Sequence, residues 1–288
     1  IADLDNQDGI LVVGSNLRRE VPIIAHRVRT AAVRGAAVGF VNPEAYEVHF
    51  SRAAYIEAPL SRLVESLAGV VVAAVELTSE KLPATLMETL KGVEADDADR
   101  EAARVLIDKE RALVLVGQLA LRHPRCAAIR RLAAALTDLT GARLGYLPEG
   151  ANAAGAALAG VLPHRGPGGE PLESAGLDAQ GMLTSPRSVY VLFGLEPEHD
   201  LADGALAEQA LKASDTVICF TPYVTQQLLE CADILLPIGT FAETAGTFVN
   251  IEGNWQSFGA AATLVGDARA GWRVLRVLGN KFKMPNCD

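Results

Sequence analysis

The chain has 288 residues, half of them hydrophobic and only 5% aromatic, with a net charge of -9. That length buries one large core or two ordinary ones, and an aliphatic, glycine-rich, aromatic-poor composition suits helices packed on parallel strands better than a β-sandwich. The densest basic run, Arg125 to Arg131, is broken by four uncharged residues, so a nucleic-acid patch is not expected.

Ile10 to Gly14 (ILVVG) is a short apolar run ending on glycine, the pattern of a strand buried on both faces. The turn Gly14-Ser15-Asn16 leads into a helix-like run with Pro22 near its start and Gly35 near its stop, and AAVGFVNP completes a βαβ unit. Leu60, Leu63, Val64, Leu67 and Val71 recur at three and four residues, which predicts a helix over Pro59 to Ala74. A linker-like stretch follows, then a charged helix from Asp97 to Lys109. The strand Ala112 to Gly117, the helix Cys126 to Leu139 and the strand Ala142 to Leu147 repeat the first pass.

Closely spaced prolines and glycines between Pro163 and Pro186 read as irregular and set the expected domain boundary. Residues 1–180 form a first lobe of two βαβ passes. Residues 185–288 form a second, incomplete lobe with strands Ser188 to Gly194, Asp215 to Phe220 and Ala232 to Pro237 and a helix around Leu206 to Ala213. The expected fold is α/β, with doubly wound, mostly parallel sheets in two Rossmann-like lobes.

The longest apolar run, Leu67 to Val75, is about half of a bilayer span of roughly 20 residues, so membrane association is expected only through a partner. Cys126, Cys219, Cys231 and Cys287 form no CxxC pair, and His26, His49, His123, His164 and His199 are scattered; no metal site is expected. The chain starts on Ile1 rather than methionine and is read as a fragment or a processed chain.

Three strand-to-helix turns have the outline of a phosphate cradle: Gly14-Ser15-Asn16, Gly117-Gln118-Leu119 and Gly194-Leu195-Glu196-Pro197. None is GxGxxG, and any doubly wound sheet needs such turns. Asn16 is either a ligand contact or an N-cap, and Arg18 and Arg19 either clamp a phosphate or sit solvated at a helix start. Glu243 reads as a general base or a loop brace, and Trp255 as an interface anchor or a core residue. His123, His164 and Arg165 are partner contacts or simply solvated.

Gly14-Ser15-Asn16 with Arg18, Arg19, Glu20 and Pro22 resembles the G-x-N-P turn by which molybdopterin oxidoreductases of the dimethyl-sulfoxide-reductase superfamily hold the guanine dinucleotide end of their cofactor, with Leu17 in place of proline. ADILLP (Ala232 to Pro237), Glu243, Gly246-Thr247-Phe248, Asn250 and Glu252-Gly253 resemble that superfamily's strand, loop and G-T-[FY]-x-N-x-E-G corner. Within it, Val13 to Pro22, Gly145 to Arg165 and Gly266 to Asn280 resemble the large peripheral-arm subunit of NADH:quinone oxidoreductase, respiratory complex I, known as its G or 75 kDa subunit. The resemblance covers essentially the whole chain. It implies two lobes like domains 2 and 3 of formate dehydrogenase and DMSO reductase.

Two departures bear on function. Asn254-Trp255 follows Glu252-Gly253 where catalytic members commonly have arginine, and the third turn reads GLEP in place of G-x-N-P. The resemblance implies a scaffold region that supports electron transfer from NADH to quinone without its own redox centre. Its vestigial cofactor-binding residues would be Gly14, Ser15, Asn16, Gly194, Glu243 and Asn250, with no catalytic residue and no metal ligand. No cofactor is expected in this stretch; iron–sulfur clusters belong to the upstream part of the full-length protein. Other complex I subunits are the expected partners, at the cytoplasmic face of the bacterial inner membrane. Two alternatives stay open: part of a formate-dehydrogenase-like enzyme that uses molybdopterin guanine dinucleotide, and a free-standing nucleotide-binding regulator.

Overall fold

The computed structural model describes residues 1–81, 86 and 89–284; Cys287 and part of the expected linker lie outside them. The chain divides into two compact units, Ile1–Gly150 and Ala151–Asp288. The division falls ahead of the Gly/Pro-rich stretch, so residues 151–180 go with the second unit rather than with the first lobe. A hydrogen bond shows why: the Asn152 side chain accepts from the backbone N–H of Val249 at 2.9 Å.

In the first unit β1 (Gly9–Val13) leads through a four-residue helix α1 (Leu17–Glu20) into α2 (Pro22–Val33) and β2 (Ala37–Asn42). β3 (Ala54–Glu57), α3 (Leu63–Thr78) and α4 (Asp97–Arg104) follow, then β4 (Ala112–Val116), a second four-residue helix α5 (Gln118–Leu121), α6 (Cys126–Thr140) and β5 (Arg143–Tyr146). All neighbouring strands are parallel, in the order β3-β2-β1-β4-β5.

The sequence of β1 dictates the layers. Ile10 and Val12 face one side, Leu11 and Val13 the other, and all four are fully buried. A strand apolar on both faces needs cover on both. α2 covers one with Ile24 and Val28; α3, α4 and α6 cover the other with Leu67, Ala103 and Ile129. The chain runs outward from β1 to β2 and in the opposite direction from β4 to β5, so crossovers of one hand set α2 and α6 on opposite faces. The reversal between β1 and β4 is the topological switch point, where α/β sheets bind ligands.

β3 is absent from the sequence reading, because only Ala54 of its four residues is buried and no alternation marks it. The helix expected over Pro59 to Ala74 opens as a 3-10 turn, Leu60–Arg62, and its α-helical part extends to Thr78. The helix expected to reach Lys109 ends at Arg104.

The second unit contains α7 (Ala153–Leu158), α8 (Ala179–Thr184), β6 (Val189–Phe193), α9 (Pro197–Asp200), α10 (Gly204–Lys212), β7 (Thr216–Thr221), α11 (Gln226–Cys231) and β8 (Ile234–Pro237). An antiparallel hairpin, β9 (Gly246–Val249) with β10 (Trp255–Phe258), and α12 (Gly271–Lys281) complete it. β6, β7 and β8 form a parallel sheet in that order, whose core of Tyr190, Leu192, Val217 and Cys219 packs on Leu211 and Leu228. On the other face of β6, Val189, Val191 and Phe193 are about half exposed, at 52%, 53% and 45%. α8 lies in the stretch expected to be irregular; the Asp178 carboxylate caps it by accepting from Gly181 N–H at 2.7 Å, compensating for a polar, glycine-containing sequence.

Candidate functional site

The switch point of the first unit is built by the turn after β1. Gly14 takes φ +63°, a conformation that favours glycine, and donates its N–H to Val41 at 2.9 Å. A side chain there would also collide with α5: a Cβ on Gly14 would lie 2.7 Å from the backbone N of Ala120. Ser15, almost fully buried, donates its N–H to the Asn42 side chain at 2.8 Å, and Asn42 returns its amide to the Ser15 carbonyl at 3.0 Å. Asn42 stands at the end of β2, where dinucleotide-binding folds place the carboxylate that reads a ribose; here it is fully buried and serves the turn itself.

Glu20 closes the remaining donors. α1 is short enough to fold its last residue back over the turn, and the Glu20 carboxylate accepts from Asn16 N–H at 2.8 Å, from the Ser15 hydroxyl at 2.8 Å and from Gln118 N–H at 3.4 Å. Asn16 precedes α1 and Gln118 opens α5, so one carboxylate bridges the helix starts that follow β1 and β4. A pyrophosphate would seek the same place. As they stand, these residues do not fit one: a second anion about 4 Å from Glu20 meets a repulsion on the order of 4 kcal/mol near a protein surface. Burial, then the carboxylates of Glu44 and Glu20, push the Tyr46 phenol above its usual range.

The second unit repeats the device. Gly194 follows β6 at φ +60°, donates to Phe220 at 2.8 Å and opens the four-residue α9. The N–H of Glu196, two residues after the glycine, donates to the Asp200 carboxylate at 2.7 Å, as Asn16 does to Glu20. In this GLEP turn Glu196 contributes its backbone N–H, and the carboxylate that receives it is that of Asp200.

The corner between residues 240 and 258 is braced from within. Glu243 completes a capping box, accepting from the Thr240 N–H at 2.8 Å and hydroxyl at 3.0 Å. The Asn250 side chain accepts from Glu252 N–H and Asn254 N–H, both at 2.9 Å, and so shapes the β9–β10 turn. Phe248 and Phe258 meet edge to face at 4.9 Å across the hairpin, while Trp255 is 72% exposed and forms no part of a core.

Of the six expected cofactor residues, Gly14, Ser15 and Asn16 share one turn, Gly194 marks its counterpart in the second unit, and Glu243 and Asn250 brace the corner. Asn16 stands at the N-cap of α1 without a side-chain cap bond. Arg18 pairs with Glu47 at 3.0 Å. The His123 ring accepts from Arg125 N–H at 2.9 Å and bonds the Leu60 carbonyl at 2.9 Å, bracing the start of α6. Arg165 donates to the Gly169 carbonyl at 3.3 Å within its own loop. Asn42 and Asp200 were missed, as was the part Glu20 plays; a carboxylate four residues beyond a post-glycine turn residue is the signal common to both turns. Among the described residues, no group of three or more His, Cys, Asp or Glu is placed to hold a metal ion, and no helix is long and apolar enough to cross a membrane.

Relatives agree with this architecture. The G subunit of NADH-quinone oxidoreductase from Mycobacterium bovis is 28% identical over 283 residues, covering 89% of this chain and 31% of that protein. The alpha subunit of an F420-dependent formate dehydrogenase from Methanocaldococcus jannaschii is 24% identical over 326 residues, covering 98% of the chain and 48% of the relative. The chain thus spans 31% and 48% of the lengths of these two relatives. Acetylene hydratase from Pelobacter acetylenicus has the same fold, with a TM-score of 0.71 at 16% identity over 98% of this chain and 48% of that one. The molybdopterin oxidoreductase family model matches residues 1–281, and the chain belongs to that family.

Proposed function

We propose that this region is a non-catalytic scaffold of an NADH:quinone oxidoreductase subunit, which docks neighbouring subunits of the complex and holds no cofactor of its own. The observation that carries the reading is the Glu20 carboxylate at the switch point. It takes the donors of both helix starts, where a cofactor-binding member of the family would present them to a phosphate. The relatives from NADH-quinone oxidoreductases support the same assignment, and the membrane is reached only through the complex. Iron–sulfur clusters belong, on this reading, to other parts of the full-length protein.

The formate dehydrogenase relatives favour a second reading, a piece of an enzyme whose two lobes hold a molybdopterin guanine dinucleotide. Elemental analysis and pterin fluorescence of the full-length protein separate the two. The scaffold reading expects no molybdenum, no pterin emission, and co-purification with other subunits of the complex. Stoichiometric molybdenum overturns it.

A further inference from the structure

A cleft of about 250 Å³ opens between the start of α2 and the loop that joins β2 to β3. Its floor is apolar, with Leu17, Val48 and Phe50. Every charged or ionisable side chain that lines it is basic: Arg18, His26, Arg29 and His49. Arg18 and Arg29 make this a local concentration of guanidinium cations on a chain of net charge -9 with histidine neutral. Among the described residues Glu47 answers part of it, pairing with Arg18 and lying 4.0 Å from His49, and all three side chains are exposed. Arg29 has no ion pair among the described residues. Along α2 the face that lines the cleft continues to Val33, and Ile23 flanks it beside Pro22; the two are exposed by 69% and 67%. They are two of the four large apolar side chains exposed among the described residues of the first unit.

Size and charge select the occupant. A small-molecule site encloses about 300–1,000 Å³, so this cleft is too small for a cofactor and fits one bulky side chain. An apolar cleft edged by two arginines complements an aliphatic or aromatic residue flanked by carboxylates, the arrangement in which anchors supply affinity and charges supply steering. We infer that the outer face of α2 and this cleft form the docking surface for an acidic segment of a partner protein, whose one large apolar side chain enters the cleft. The inference rests on the docking reading above and gives it a surface and a partner chemistry.

The test places photoreactive benzoylphenylalanine at Ile23, and separately at Trp255, in the protein expressed in its own cell. Cross-linked peptides are then sequenced by mass spectrometry. The expected result is a cross-link from position 23 to a partner peptide in which Asp and Glu outnumber Lys and Arg around a Leu, Ile, Met or aromatic residue. R18E with R29E lowers that yield at least tenfold without changing any cross-link from position 255, and the milder R18Q with R29Q gives an intermediate loss. A neutral or basic peptide, a yield indifferent to charge reversal, or partner capture from position 255 alone overturns the inference and leaves the scaffold reading intact. Capture from neither position, with no co-purifying subunit, overturns both.

Discussion

The turns Gly14–Glu20 and Gly194–Asp200 are built alike and supported differently. Each has a glycine near φ +60° bonded to the neighbouring strand, a four-residue helix, and a carboxylate at the end of that helix accepting from the second N–H after the glycine. In the first unit the turn is wedged beneath α5, and Asn42 at the end of β2 clamps it. In the second, a Cβ on Gly194 would meet nothing within 4 Å. There the residue at the corresponding strand end, Thr221, bonds Tyr223 in its own loop. The shared part is local and encoded in seven residues. The support from α5 comes with a strand on the far side of the glycine, which β1 has in β4 and which β6 lacks within its sheet, whereas the Asn42 clamp is a matter of side chain, since β7 ends on Thr221 at that place.

The largest contrast is expected at the glycines. Gly14→Ala adds the strain of positive φ, about 1–2 kcal/mol, to an overpacking cost of about 1–3 kcal/mol, whereas Gly194→Ala carries only the strain. Denaturant unfolding of the two variants measures the gap; equal losses would mean that α5 yields to the new methyl group. Asn42→Ala comes next. It leaves the buried Ser15 N–H and carbonyl without that partner, at about 1–3 kcal/mol per unsatisfied group, while Thr221→Val loses two bonds to the backbone of Tyr223, an exposed residue that water can serve, and about 1 kcal/mol by the same measurement. Glu20→Ala removes an acceptor shared by three donors and is expected to cost about 2 kcal/mol, against about 1 kcal/mol for Asp200→Ala, whose carboxylate is exposed and takes one N–H.

Thiol chemistry marks the two units without perturbing either. Cys219 is fully buried in the second core, and burial pushes its thiol up to about 11. Only the thiolate reacts, so Cys219 stays protonated and unlabelled by iodoacetamide at pH 8, while Cys126, half-buried at the start of α6, is modified. Labelling of Cys219 at the rate of Cys126 would show that the second core opens readily.

The sequence made the first sheet legible because β1 and β4 are apolar runs without alternation and each ends on glycine. β3 escaped, since four residues with one buried side chain leave no period. The hairpin β9–β10 was visible only as a motif: Phe248, Phe258 and Trp255 are partly or largely exposed, so no face announces it. At the site, Gly14, Ser15 and Asn16 were readable from the turn, but the place of Glu20 depends on α1 lasting one turn only, and helix length is set by how the chain packs. Asn42 was hidden for a related reason: its role lies in a partner 27 residues away that only the register of β1 on β2 brings near.

The most direct test of the self-capped switch point is a calorimetric titration of the parent chain and of Glu20→Ala with inorganic pyrophosphate. The account predicts no saturable binding to the parent and saturable binding once Glu20 no longer occupies the donors of Asn16 and Gln118. Saturable binding to the parent that Glu20→Ala leaves unchanged or weakens would contradict it.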